Sequence, residues 1–482
     1  MNLHKLFSAQ AIPRKRFPKR RPGQRPKPRR RKPKPPVVNS KRINYILNDM
    51  TTPDLLKAMH APIQPVSPMF TVRKYAGGGF KRGTAEDLAA QCFVTMTNTL
   101  NFYAQHGGKM NRWIGTSNLA VMPKAGVDLN AYYDRRSLRF FYYGHQKIGG
   151  TVFTAESSDI VAHELGHAVL DTFRPDTWSA ASLEVWGFHE AFADLTAMIN
   201  IMCHDSILQR AIDQTNGDMR KQNVIARLAE HVGKAVFALS PGSGRSPDCL
   251  RNAINSFNYV PPNKLPKNAP HNKLSSECHS FGRVFLGVYY DLLVAMYEQN
   301  RNDGSTPLEA LAHARDSLTD RALMAIKHAP INVKFYESMA KTMLWADKTK
   351  LNGTYHDAMR DVFIKRNVIQ PTLNILSNAP SCDNNEGIVK MSSTLNLKLS
   401  NHILRMQSDN PLYNVEVEIP QEQAYLYDEN KTAMDVISVS DDEALLGAQD
   451  MIEYLHETNS VGEGSDTPFE IQDGKLVRTH FA

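Results

Sequence analysis

Residues 157–173 read SSDIVAHELGHAVLDTF, and this stretch sets the terms for the rest of the chain. Val161, Leu165, Ala168 and Val169 supply an apolar face at helical spacing. Ser157 and Ser158 are candidate N-caps, Asp159 is an acid suited to the first turn, and Pro175 stops the helix shortly beyond. On such a helix, positions i and i+4 share one face, so His163 and His167 can present their imidazoles to a single point. Glu164 lies between them. Two histidines and a glutamate in this H-E-x-x-H spacing are the pattern that binds Zn²⁺, with the glutamate placed to act as a base. Gly166 costs helix stability and marks a place where another element must come close.

A second element follows at residues 186–194, WGFHEAFAD. A helix over about 182–203 puts Glu190 and Asp194 on one face. Phe188, Ala191, Phe192, Ala193 and Leu195 make the stretch apolar, and a carboxylate pair buried there needs a cation or strong hydrogen bonds. Glu190 can therefore be the third metal ligand while Asp194 orients one of the ligating histidines. His189 is a competing ligand.

The chain around these residues resembles the gluzincin metallopeptidases, especially the thermolysin-like enzymes. The likeness rests on His163-Glu164-Leu165-Gly166-His167 and on Glu190-Ala-Phe-Ala-Asp194. It extends upstream to Leu129-Asn130-Ala131-Tyr132-Tyr133 and downstream to His279-Ser280-Phe281-Gly282-Arg283, covering roughly residues 85–345. The resemblance implies hydrolysis of peptide bonds by a zinc-activated water, with Glu164 as general base. It implies that His279 stabilises the tetrahedral intermediate and that Asn130 and the main chain of Ala131 align the substrate as an added strand. A plain helix-start histidine is the other reading of His279. Glu277 and Asp171 are both candidates to orient it. Tyr289 or Tyr290 could assist the oxyanion or simply fill the core, and Trp178 could line the cleft or pack. The gap from His167 to Glu190 is slightly longer than the family norm, and the residues before the first helix leave no room for a large inhibitory pro-region. No partner acids are evident to make Asp159 a calcium ligand.

The implied fold is α+β: a thermolysin-like zincin with an N-terminal mixed α/β lobe and a mainly helical C-terminal lobe. Its expected divisions are a disordered basic arm at 1–42, the α/β lobe at 43–160, the helical lobe with the zinc site at 161–370, and an acidic extension, α+β or partly disordered, at 371–482. Local patterning places a helix over 85–105, a hairpin from Leu129–Tyr133 and Leu138–Tyr143 across Asp134-Arg135-Arg136, and a strand at Thr151–Thr154. Further helices fall within 205–237, 279–300, 307–328 and 333–347. Residues 240–275, rich in Pro, Gly, Ser and Asn, read as a long surface excursion. A short strand is expected at Leu412–Ile419.

Charge is unevenly spread over the 482 residues. Residues 1–42 carry 16 Lys or Arg and no acid, whereas 371–482 carry 6 basic and 19 acidic residues. The stretch 13–36, PRKRFPKRRPGQRPKPRRRKPKPP, combines proline with like charges and cannot form a core. It suits attachment to nucleic acid or another polyanion, a targeting signal, or contact with the acidic extension. The alternative to a peptidase is thus a catalytically weak zincin-fold protein that binds nucleic acid or an acidic partner through this arm. No run of 18 apolar residues suggests a membrane span. Five scattered cysteines and the lack of a secretory leader suggest an intracellular, cytoplasmic location. The expected partners are a peptide or protein substrate, and the sequence sets no oligomeric state.

Overall fold

Chain pairing begins where β1 (Arg42–Ile46) runs antiparallel to β2 (Leu56–His60). The computed structural model describes residues 42–51, 56–60, 68–73, 83–371, 379–382, 384–391, 401–406, 415–462 and 467–481. The basic arm therefore lies outside the described residues, apart from Arg42 at the start of β1.

After β3 (Phe70–Val72) comes α1 (Ala85–Gln105), capped by Thr84, whose hydroxyl accepts the Asp87 N–H. Leu88, Cys92, Met96 and Leu100 form its buried stripe, as their spacing requires. The strands β4 (Leu119–Met122), β5 (Ala131–Tyr133) and β6 (Ser137–Phe140) join β3 in a sheet ordered β3-β4-β6-β5. The first three are parallel, while β5 runs antiparallel to β6 and forms the edge. The hairpin expected at this point is present, and Arg135 adopts positive φ (65°) in its turn. β7 (Tyr142–His145) and β8 (Gly150–Phe153) form a second hairpin.

The centre of the molecule is the pair α2 (Ser158–Phe173) and α3 (Leu183–Met202). Ser157 holds the N-cap position of α2 without a side-chain cap bond. Ser158 instead donates to the Asn48 and Leu47 carbonyls, tying the helix start to the β1 region. A Cβ at Gly166 would lie 2.7 Å from the Ala193 Cα and 2.8 Å from the Thr196 hydroxyl. Glycine is thus what lets α2 approach α3 closely enough for their side chains to share a site.

The helical part continues with α4 (Asp205–Thr215), a two-residue strand β9 (Arg227–Leu228) and α5 (Glu230–Leu239). Residues 240–277 hold only the short β10 (Arg251–Asn252), paired with β9, and one helical turn. Then follow α6 (Cys278–Asn302), α7 (Pro307–His328), α8 (Phe335–Lys350) and α9 (His356–Lys365). Helix α6 crosses α3 at Gly282, where a Cβ would meet the Glu190 Cβ at 2.9 Å. One continuous core joins these helices to the sheet.

The described part of the acidic extension is itself α+β. It contains β11 (Ile388–Met391), β12 (Asn401–Met406), β13 (Val415–Pro420), β14 (Gln423–Tyr427), β15 (Ala433–Ile437), α10 (Asp441–Glu457), β16 (Phe469–Gln472) and β17 (Lys475–Arg478). These make sheets ordered β11-β14-β15 and β12-β13-β17-β16. The strand expected at 412–419 is β13, and residues 412–414 lie outside the described set. The extension docks on α3: Trp186 packs edge-on against Tyr454 and Phe469, and the Ala181 N–H donates to the Glu418 carbonyl at 2.7 Å. Lys267, Lys334 and Lys341 form ion pairs with Glu457, Glu443 and Asp435 of the extension. The architecture is α+β. Among the described residues no helix is long and apolar enough to cross a membrane, and the five cysteines are unpaired.

Candidate metal centre

The two helices deliver their side chains as the i, i+4 geometry demands. One metal-ligating atom from each of His163, His167 and Glu190 lies within 4.8 Å of the others, and all three residues are buried. The His163 Nε2 is 3.4 Å from the Glu190 Oε2, and the His167 Nε2 is 3.7 Å from its Oε1. The two imidazoles stand edge to face, with centroids 4.9 Å apart.

Neither Glu190 oxygen has a hydrogen-bond partner, nor does the His167 Nε2. Such groups carry a full desolvation cost when left alone, so three of them turned toward one point mark a place suited to a cation. Two imidazoles and a carboxylate are a zinc-type donor set. Burial holds the His167 imidazole well below its ordinary pKa, which leaves it in the neutral form that ligates. Burial works against ionisation of Glu190, but His279, His167 and His163 together hold its carboxyl well below the usual range.

The support behind the cluster is specific. Asp194 lies 2.9 Å from the His163 Nδ1, which leaves Nε2 to face the cluster. The Arg251 Nε donates to the same Asp194 oxygen at 2.8 Å. The Nη2 of Arg251 approaches the His163 Nε2 at 3.2 Å. The excursion over 240–275 therefore does more than cover surface, because it inserts an arginine side chain that is only 14% exposed into the site. His189 is not among the metal-ligating groups. Its Nδ1 faces the His167 Nδ1 at 3.4 Å and its Nε2 contacts the Thr177 hydroxyl at 2.9 Å, so it backs His167.

An open cleft beside the cluster is lined by Asn130, Ala131, His163, Glu164, Asp194, Arg251 and His279, among others. Burial pushes the Glu164 carboxyl up to about 8, and its Oε2 has no partner. The His279 Nε2 points at the Glu190 Oε2 from 3.4 Å, and its Nδ1 is 2.6 Å from Glu277. Glu277 both caps α6, accepting the N–H groups of His279 and Ser280, and orients the His279 ring. Although burial opposes it, His279 holds the Glu277 carboxyl down to about 2.

Asp171 does not orient His279. It accepts from the Tyr133 hydroxyl at 2.9 Å and from Arg135 at 2.6 and 3.0 Å. Tyr289 and Tyr290 belong to the core. Tyr290 is tied to Asn223 and to the Met219 carbonyl, and neither tyrosine lines the cleft. Trp178 also packs, edge-on to Tyr133. Asn130 and Ala131 do reach the cleft, but the Asn130 Oδ1 accepts the Ala131 N–H at 2.9 Å. Asp159 accepts the Ala229 N–H and belongs to no group of three metal-ligating side chains among the described residues.

Sequence reasoning missed Arg251 and the segment that carries Phe481, whose ring stacks on His167 and His189 at centroid distances of 4.9 and 3.9 Å. Neither has a local signal, because each reaches the site from a distant part of the chain. No protein-family model matches the chain, and no curated protein matches its sequence.

Proposed function

We propose that the protein is a zinc-dependent metallopeptidase with a thermolysin-like zincin arrangement, in which the α/β lobe and the helical lobe meet at the metal cleft. The observation that carries this reading is the convergence of the unpartnered His167 Nε2 and Glu190 oxygens with His163, beside a cleft that also contains Glu164. His163, His167 and Glu190 would hold Zn²⁺, which when bound supplies Lewis acidity that polarises a carbonyl and eases deprotonation of water.

The chain's own groups do the rest. Glu164 accepts a proton from the attacking water and passes it to the leaving nitrogen. His279, fixed by Glu277, donates to the developing oxyanion, a contribution worth about 3–4 kcal/mol for a well-placed donor. The edge of β5 at Ala131 offers its main-chain carbonyl to an extended peptide, while its N–H is held by the Asn130 Oδ1 until a substrate displaces that bond. Asp194 and Arg251 hold His163 in register.

Metal analysis together with peptide hydrolysis tests the proposal. The purified protein should contain zinc, and a chelator should abolish cleavage. Glu164→Gln should retain the metal while lowering kcat by roughly 10²–10⁴. Zinc-dependent cleavage that survives Glu164→Gln would remove Glu164 from its assigned role.

A further inference from the structure

The edge of β5 is already partly occupied. The Tyr133 N–H donates to the Phe481 carbonyl at 2.9 Å, and the Phe481 N–H donates back to the Tyr133 carbonyl at 2.9 Å, an antiparallel pairing. Phe481 is 1% exposed. Its ring stacks on His167 and His189 and packs edge-on to Trp178. The Arg478 guanidinium lies 4.1 Å over the same ring, and its Nε donates to the Trp178 carbonyl. Residues 479–481 are thus held at both the backbone and the side chains.

Strand geometry gives this pairing a consequence. Tyr133 turns its N–H and C=O away from β6, and by the two-residue period Ala131 faces the same free side. Ala131 lines the cleft beside Glu164, whereas Tyr133 lies one pairing step farther along the edge. In an antiparallel added strand, the residue opposite Tyr133 precedes by two the residue opposite Ala131. Phe481 holds that earlier place.

We infer that residues 479–481 are a specificity-determining segment that fills the position of a substrate's N-terminal extension. The cleft consequently favours peptides with a short reach on the amino-terminal side of the scissile bond. A longer peptide must first displace Phe481 from Tyr133. This inference rests on the peptidase reading for its scissile bond, but the occupied edge can be tested without catalysis.

The test uses two labelled peptides that share one cleavable sequence, one bearing a short and the other a six-residue N-terminal extension. Their binding to full-length, zinc-loaded Glu164→Gln protein is read by fluorescence anisotropy. Phe481→Pro is added to remove the N–H that pairs with Tyr133, and metal content and thermal midpoint confirm that the variant is folded. The full-length protein should bind the short peptide better than the long one. Phe481→Pro should raise the long-to-short affinity ratio roughly tenfold, the scale of one lost competing hydrogen bond. The Tyr133 amide should also exchange its hydrogen faster. Equal binding of both peptides by the Phe481-containing protein would overturn the inference, even if the Phe481→Pro variant failed to fold. So would a Phe481→Pro ratio that stays unchanged. Absence of hydrolysis by the Glu164-containing enzyme would instead strike the peptidase reading and leave the binding comparison standing.

Discussion

Asp171 and Glu190 are both buried carboxylates on the central helix pair, yet they are treated in opposite ways. Asp171, on α2, receives the Tyr133 hydroxyl and a two-pronged Arg135. Glu190, on α3, receives no hydrogen bond at either oxygen. The first is what a folded chain does when a charge must be buried for structure: it surrounds the group with donors. The second is faced by the imidazoles of His163, His167 and His279 at 3.4–3.7 Å and keeps both oxygens open to a cation. Two histidines turned toward the same place complete a set of three side chains close enough to hold a metal ion.

Removing the two carboxylates should have opposite effects on metal binding and stability. With zinc present at about a thousand times its dissociation constant, binding adds about 4 kcal/mol to the stability of the wild type. Chelation should remove that increment from the wild type and leave Glu190→Ala almost unaffected, because the variant should hold little metal. Asp171→Asn should do the reverse, keeping its zinc while losing about 3 kcal/mol, because it leaves Arg135 and the Tyr133 hydroxyl poorly paired. Denaturant unfolding with and without chelator, alongside metal analysis, measures both. A Glu190→Ala protein that retains one zinc would remove Glu190 from the ligand set.

What could be read from the sequence divides along the same line. His163, His167, Glu190 and Asp194 sit at spacings of four on two helices, so local periodicity alone predicts which of them share a face. The close approach at Gly166 was equally readable, as was the hairpin ending in β6. His189 was separable in principle, since adjacent residues on a helix point about 100° apart and Glu190 was the better match in chain order. Arg251 and Phe481 were not readable. Arg251 meets Asp194 across 57 positions from a segment without periodicity, and Phe481 meets Tyr133 across several hundred. Only tertiary packing brings them in, and no rule of local spacing encodes it. The choice between Glu277 and Asp171 as the partner of His279 likewise needed the fold. Both are acids, and Asp171 turned out to be claimed by Arg135.

Glu184 is a third buried carboxylate of the same helix pair, intermediate in its surroundings. It is buried in the first turn of α3, where it accepts the Tyr259 hydroxyl at 2.6 Å and the Tyr336 N–H at 2.9 Å. It has hydrogen bonds, as Asp171 does, but no guanidinium. Burial pushes its carboxyl up to about 7; the two donors and Lys334 pull it down, and Glu337 adds to the rise. The folded protein therefore binds this proton more tightly than the unfolded chain, whose carboxyl titrates at an ordinary value near 4.5. Between those two values the folded state holds the extra proton, so stability falls as pH rises. Below the window Glu184 costs nothing through its charge, and above it the whole cost of ionisation is present. Glu184→Gln retains an oxygen acceptor and cannot ionise. From about pH 5.5 to about pH 7.5, the wild type should lose about 2 kcal/mol relative to the variant, as read by urea unfolding of both. A gap that stays constant over that range would mean that Glu184 is ionised throughout, with its two donors and Lys334 already compensating for its burial.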